Sequence, residues 1–364
     1  MLIASCAISP KEKEISPAFY HWKTHFSPTE IEKNYLQNFA VKKIYVKFFD
    51  VDWNGKASEP LPVAEVILDR MSWGNIEIVP TIFITNRSLK NYPLDKMEIL
   101  AKHIFDKIKD LSAGHDFMKK NINEIQIDCD WSGLTKEKYF RLLYFFKKEI
   151  TQARANDFGK KIKLSATIRL HQVKYFERTG VPPVDRGMLM FYNVDEVKDW
   201  ETRNSILDID VAKQYFYNFE KYPLDLDVAL PIFSWGVLFR DGEMVKLMPH
   251  LRAENLADTT YFSPIFPKQL SPISASETPS SGSTTFKNKT YFEVQKSTYL
   301  DGKYLYKGDK IRLEMVTIAT LKKAAQLLKS KIANSEITVS FYHLDTNTIK
   351  YYPYEKLQEV IDIF

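Results

Sequence analysis

A chain of 364 residues with 45% apolar content can bury a large core, in one large domain or two ordinary ones. Its 51 basic and 46 acidic residues leave a net charge of +5 and are scattered, with no run dense enough to follow a phosphate backbone, so nucleic acid is excluded as the expected partner. The aromatic content of 14% suits a big core, and it also suits stacking on the apolar faces of sugar rings.

Two cysteines, Cys6 and Cys129, cannot build a disulfide framework. Cys129 falls on the apolar face of a strand and reads as a buried, inert thiol. Cys6 closes Met1-Leu-Ile-Ala-Ser-Cys6, which resembles the lipobox of bacterial lipoproteins, and the polar stretch from Ala7 to Pro17 has the composition of a tether. A full secretory signal has a basic region and roughly 7 to 15 apolar residues, so the expectation is a truncated lipoprotein signal. Residues 1–17 are then anchor and tether, lipidation at Cys6 supplies a membrane contact, and the location is the cell envelope. No later stretch approaches the ~18 apolar residues of a spanning helix.

Ala18 to Lys23 predicts a first strand, and Ser27-Pro28-Thr29-Glu30 a helix start with Ser as cap and Pro as first helical residue. Lys43 to Trp53 predicts a second strand and Ile76 to Thr85 a third, followed by an amphipathic helix over Leu94 to Leu111. Asn123 to Asp130 is the fourth strand: Ile125 and Ile127 share one face, Gln126, Asp128 and Asp130 the other. Thr135 to Ala155 is a helix with Tyr139, Leu142, Leu143, Phe146 and Ile150 on one stripe. Strands five, six and seven are Lys163 to His171, Arg186 to Asn193 and Asp225 to Trp235, with a helix over Asp208 to Glu220. Thr317 to Ile332 is a helix, Glu336 to Asp345 the eighth strand, and Pro353 to Ile363 a closing helix.

Eight largely apolar strands alternating with helices, their polar residues gathered at the C-terminal ends, argue for an α/β fold, a (β/α)8 TIM barrel over residues 18–364. A doubly wound open sheet competes, but the first turn is not Gly-rich and the chain has only 12 glycines. Between strand seven and its helix, residues 240–309 are far longer than an ordinary loop and form an insertion over the barrel mouth. It contains two Asp-Gly hairpin turns, Arg240-Asp-Gly-Glu and Leu300-Asp-Gly-Lys, and a Ser/Thr/Pro/Gly-rich stretch from Pro272 to Thr285.

Barrel enzymes build their sites from the C-terminal strand ends. Those ends carry His21, Trp22 and Lys23; Asp50, Asp52 and Trp53; Asp128, Asp130 and Trp131; Thr167, Arg169 and His171; Tyr192 and Asn193; Ser234 and Trp235; His343 and Asp345. Carboxylates with imidazoles, an arginine and aromatic rings form the inventory of a sugar site: acids protonate or activate, Arg and His orient, aromatic rings stack. Asp130 is the principal acid or base, Asp128 the partner that shifts its pKa, and Asp52 or Asp345 the opposing carboxylate. Trp131, Trp53, Arg169, His171, Tyr192, Asn193, Trp235 and His343 are the substrate-binding candidates. A metal is the rival use of these acids, but no tightly spaced histidines support it, so neither metal nor cofactor is expected. Ser234 lacks a nucleophile elbow and Cys129 faces away from its strand's acids, which leaves nucleophilic triads weak.

Ile127-Asp-Cys-Asp-Trp131 resembles the fourth-strand signature of chitinase-like glycosidases, the family-18 group, in which Asp-x-Asp-Trp-Glu ends the strand and the Glu is the general acid. Asp128, Asp130 and Trp131 match; Ser132 stands where that Glu would be. A longer pattern adds Leu164-Ser-Ala-Thr-Ile-Arg-Leu170 and Gly187-Met-Leu-Met-Phe-Tyr-Asn193, and it is similar to an uncharacterised bacterial family described only as a domain of unknown function. Together these imply a glycosidase-like barrel acting on carbohydrate. Two functions follow as expectations: a cell-envelope glycoside hydrolase using paired carboxylates, or a non-catalytic, lipid-anchored glycan-binding or scaffolding protein on a degenerate barrel. Glu314 is an outside candidate for the missing acid.

Overall fold

The structure, a computed structural model, describes residues 13–69, 76–114, 122–153, 161–217, 219–265 and 290–364. Cys6 and the stretch from Pro272 to Thr285 lie outside the described residues. Eight parallel strands form the barrel: β1 (Glu14–His21), β2 (Lys43–Asn54), β3 (Glu77–Ile84), β4 (Glu124–Cys129), β5 (Lys163–Arg169), β6 (Arg186–Met190), β7 (Leu226–Pro231) and β8 (Glu336–Tyr342). Each pairs with its neighbour in sequence, and β1 pairs with both β2 and β8, which closes the sheet and removes its edges. β1 begins at Glu14, inside the stretch expected to be tether.

Helices pack on the outside through the stripes the periodicity predicted. Met97–Ala113 buries Leu100, Ile104, Phe105 and Ile108, and Lys136–Gln152 buries Tyr139, Leu142, Leu143, Phe146 and Ile150. The two meet edge to face at Phe105 and Phe146. The first helix, Glu30–Asn38, starts two residues later than predicted. Thr29 caps it and Glu32 completes the capping box by accepting from the Thr29 amide at 3.0 Å; Glu32 is buried and also accepts from the Thr346 amide and hydroxyl.

The barrel interior is polar in layers. Near the N-terminal end, Glu124 accepts from Lys43 at 2.7 Å and from Ser165 at 2.5 Å. Above it the Tyr20 hydroxyl donates to Gln126 at 2.6 Å, and above that Thr167 donates to Asp128 at 2.5 Å. Every inward carboxylate in this stack has a donor, as burial requires.

After β7 the chain leaves the barrel at Ser234 and returns at Met315. In between, a five-stranded antiparallel sheet runs in the order Glu243–Pro249, Ser234–Arg240, Lys310–Met315, Tyr291–Val294, Phe262–Pro264, over a core of its own that includes Leu238, Met248, Leu251, Phe292 and Ile311. Both Asp-Gly turns form hairpins with positive φ at Asp241, Gly242, Asp301 and Gly302, the conformation for which that dipeptide is suited. Gly236 lies on the first insertion strand, and a Cβ there would meet the Leu251 side chain at 2.4 Å. The missing side chain lets Leu251 pack down, and His250, whose amide donates to the Ser234 carbonyl, follows it to the barrel mouth.

Candidate functional site

The C-terminal ends of the strands surround a cavity of about 340 Å³ lined by Trp22, Phe83, Asp128, Asp130, Arg169, Tyr192, Asn193, Phe233, Ser234, Trp235, Pro249, His250, Tyr342 and His343. Barrel strands supply the acids and the arginine; the insertion supplies Trp235, Pro249 and His250.

Asp128 and Asp130 are the carboxylates of this cavity among the described residues, and both bind one arginine. Arg169 donates to Asp128 at 3.1 Å through its terminal nitrogen, and its Nε donates to Asp130. Burial pushes the Asp128 carboxyl above the usual carboxylate range, against the pull of Arg169. The Asp130 side chain is 53% exposed, so it is the member of the trio that faces solvent and any ligand. Half-exposed and held in place by the guanidinium, Asp130 presents acceptor oxygens towards the cavity.

One side of the cavity is aromatic. Tyr342 lies 5.7 Å from Trp22, 5.4 Å from Tyr192 and 5.8 Å from Phe233, and Phe233 lies 5.2 Å from Trp235. Burial raises the Tyr192 hydroxyl pKa, so it remains a neutral donor. His343 is held neutral mainly by burial, with Asp345 opposing and His250 and Lys23 reinforcing the shift.

The remaining expected site residues lie elsewhere. Asp52 is on the β2 extension, where it accepts from Thr85 at 2.8 Å, from the Trp53 amide at 2.9 Å and from Arg87. Burial opposes its charge, but these bonds outweigh that and hold its carboxyl below the usual range. Asp345 caps the short helix Thr346–Ile349 through the Asn347 amide and pairs with Lys23 at 3.2 Å. Neither lines the cavity, so the opposing carboxylate that the sequence suggested is absent from its described wall. Trp131 does not fit the role of a stacking platform: its ring is fully buried, stacked on Tyr139 at 5.0 Å, with Nε1 donating to the Thr179 carbonyl. Trp53 sits on a β-hairpin, where β2 runs on to pair with Glu59–Val63. His171 lies on the short helix Leu170–Lys174 after β5 and stays outside the cavity lining. Ser132 caps the turn after β4, its Oγ accepting from the Leu134 amide. Glu314, the outside candidate for an acid, is fully buried against Arg312.

Phe83, Phe233, Pro249, His250 and Tyr342 were not anticipated as site residues. Tyr342 was within reach, since it precedes His343 at the end of β8; His250 depended on how the insertion folds back. Among the described residues no group of three or more His, Cys, Asp or Glu side chains is placed to hold a metal ion, and no helix is long and apolar enough to cross a membrane. Cys129 is buried, and that burial raises its thiol well above the ordinary value.

No family model matches the sequence, and no curated protein matches it. Solved structures do match in fold. A GH18 chitinase from Cycas revoluta, crystallised with (GlcNAc)4, aligns over 96% of this chain and 99% of its own with a TM-score of 0.54 at 12% identity. A chitinase-like agglutinin from Robinia pseudoacacia aligns over 94% and 99% with a TM-score of 0.51 at 10% identity. A spore cortex-lytic enzyme from Bacillus megaterium aligns over 97% of this chain and 75% of its own with a TM-score of 0.51 at 11% identity. The chain therefore shares the (β/α)8 barrel fold of these chitinases and chitinase-like proteins.

Proposed function

We propose that this protein binds a glycan in the barrel-mouth cavity without cleaving it. The observation that carries the reading is Arg169, which engages both carboxylates of the cavity while Ser132 occupies the position of the proton donor in the resembled motif. Substrate-assisted hydrolysis, the exception to the two-carboxylate route that the family-18 group uses, still needs a proton donor beside the strand-end acids, and Ser132 cannot supply one. Asp128 and Asp130, both near the end of one strand, share one cation. The aromatic side from Trp22 to Trp235 offers stacking faces, and Asp130, Asn193 and Tyr192 offer hydrogen-bond partners for hydroxyls. Titration calorimetry with (GlcNAc)4 and with soluble peptidoglycan fragments, followed by chromatography of the mixture, tests this. Saturable binding with no shortened product is expected, and Trp235→Ala should weaken it by about tenfold or more. Release of shorter sugars, lost in Asp130→Asn, would overturn it.

That outcome would establish the second reading, hydrolysis, which one observation favours: Asp130 is half-exposed in the cavity beside Asp128, a carboxyl whose proton affinity burial raises. In that reading Asp130 is the principal acid or base and Asp128 its partner.

We also propose that the protein is held at the cell envelope by a lipid on Cys6; the support is Leu2-Ile-Ala-Ser-Cys6 and the polar stretch after it. Cys6→Ser should move the protein from the membrane fraction to the soluble fraction. An unchanged distribution would rule the anchor out.

A further inference from the structure

Trp235 owes its orientation to a carboxylate that no ligand can reach. Its indole Nε1 donates to Glu314 Oε2 at 2.9 Å, and the same oxygen accepts from the Ser205 amide at 2.9 Å and hydroxyl at 2.6 Å. The other oxygen, Oε1, accepts from Arg312 Nε at 2.7 Å, and both side chains of this pair are 0% exposed. Arg312 in turn donates to the Val197 carbonyl at 2.9 Å and to the Asp199 carbonyl. Asn204 donates to the Met315 carbonyl at 2.8 Å, so the loop after β6 is stitched to the insertion strand at a third point.

Three separate segments thus converge on one carboxylate: the insertion strand Lys310–Met315, the loop around Ser205, and the start of strand Ser234–Arg240. Register explains how. Trp235 lies directly opposite Glu314 across the antiparallel pair, so the indole and the carboxylate meet side by side. A tryptophan at a cavity rim has an indole N–H that needs a partner and a ring free to swing; here the N–H is anchored to a point fixed by four other donors.

Resting on the glycan-binding reading of the cavity, we infer that Glu314 is a positioning residue: it locks the Trp235 ring as a pre-formed sugar-stacking face, and Arg312 and Ser205 hold Glu314 in place. The insertion then serves the site by fixing the aromatic side before any ligand arrives. Pre-organisation of this kind improves affinity because the ring loses no further freedom on binding.

The test uses the whole protein labelled with ¹⁵N-tryptophan, the Trp235 indole resonance being assigned by its disappearance in Trp235→Phe. Without ligand, Glu314→Leu should shift that resonance upfield and speed its exchange with solvent. Glu314→Gln, which keeps an acceptor oxygen, should retain most of the shift. With (GlcNAc)4 as probe, Glu314→Leu should weaken binding about tenfold, while Glu314→Gln should stay within about threefold of the parent. An unchanged indole resonance in Glu314→Leu overturns the positioning role, as does a moved resonance with unchanged affinity. If Glu314→Leu does not fold, Ser205→Ala, which removes one of the donors that fix Glu314, carries the same two readouts, and unchanged resonance and affinity in it overturn the role. The resonance is read without sugar, so failure of the parent protein to bind (GlcNAc)4 counts against the glycan-binding reading and is separable from failure of the Trp235–Glu314 link.

Discussion

Two arginine–carboxylate sites in this molecule use the same chemistry for opposite ends. At the barrel mouth Arg169 bridges Asp128 and Asp130 and leaves Asp130 half-exposed. In the insertion sheet Arg312 and Glu314 are sealed from solvent, and every lone pair in use is taken by the protein's own donors. The contrast separates charge kept for a ligand from charge used to hold a wall in place. An open pair can be relieved by water when one partner is lost; a closed pair cannot.

The largest effect should come from breaking the closed site. Arg312→Met strands the Glu314 carboxylate in the interior and should cost about 3–5 kcal/mol in urea unfolding. Arg169→Met should cost clearly less, because Asp130 reaches solvent and burial already favours a proton on Asp128, yet it should weaken (GlcNAc)4 binding. Equal losses of stability in the two variants would erase the distinction.

Comparable in size is Trp131→Ala, which removes a fully buried ring and should destabilise by about 3–5 kcal/mol while the folded fraction keeps its affinity. A specific loss of binding without loss of stability would return Trp131 to the site.

The two buried imidazoles near the mouth make stability depend on pH. Burial, with help from Lys23 and His343, lowers His21 to about 3, and burial lowers His343 as well. Unfolded histidine takes up a proton near pH 6.5, before either native ring does. The contribution is therefore fully present above that pH and is lost as pH falls from about 6.5 towards 4, each group adding up to about 1.4 kcal/mol per unit. Thermal melts across that window should show the decline, and a His21→Gln, His343→Gln double variant should flatten it; an identical slope would discard the account.

The smallest effect is expected at Asp52, a carboxylate that sequence alone placed in the site. Its partner Arg87 is largely exposed, so Asp52→Asn should change stability by about 1 kcal/mol or less and leave (GlcNAc)4 affinity as it was. A strong loss of affinity would mean that the ligand extends beyond the cavity to the β2 hairpin.

The barrel itself was legible in the chain because alternation and helical periodicity are local. Burial of Leu142, Leu143 and Phe146, the Asp241-Gly242 hairpin, and Asp128 beside Arg169 at the mouth follow from side-chain parity and from turn chemistry. Strand ends were less legible. β2 runs into a hairpin at Trp53 and Asp52, and β5 gives way to a helix before His171, so residues counted as mouth residues turned aside.

Sequence by itself determined the succession of strands and helices, the two acids that end β4, and the serine that replaces the proton donor of the resembled motif. Tertiary structure alone decided which of several similar residues share a cavity. Trp131 and Trp235 both follow aspartate- or serine-bearing strand ends, yet one faces the helix layer and the other the mouth. Parity says which face of its own strand a side chain takes. Which element packs against that face depends on contacts made more than 70 residues away, as between Trp235 and Glu314, where |i−j| is 79.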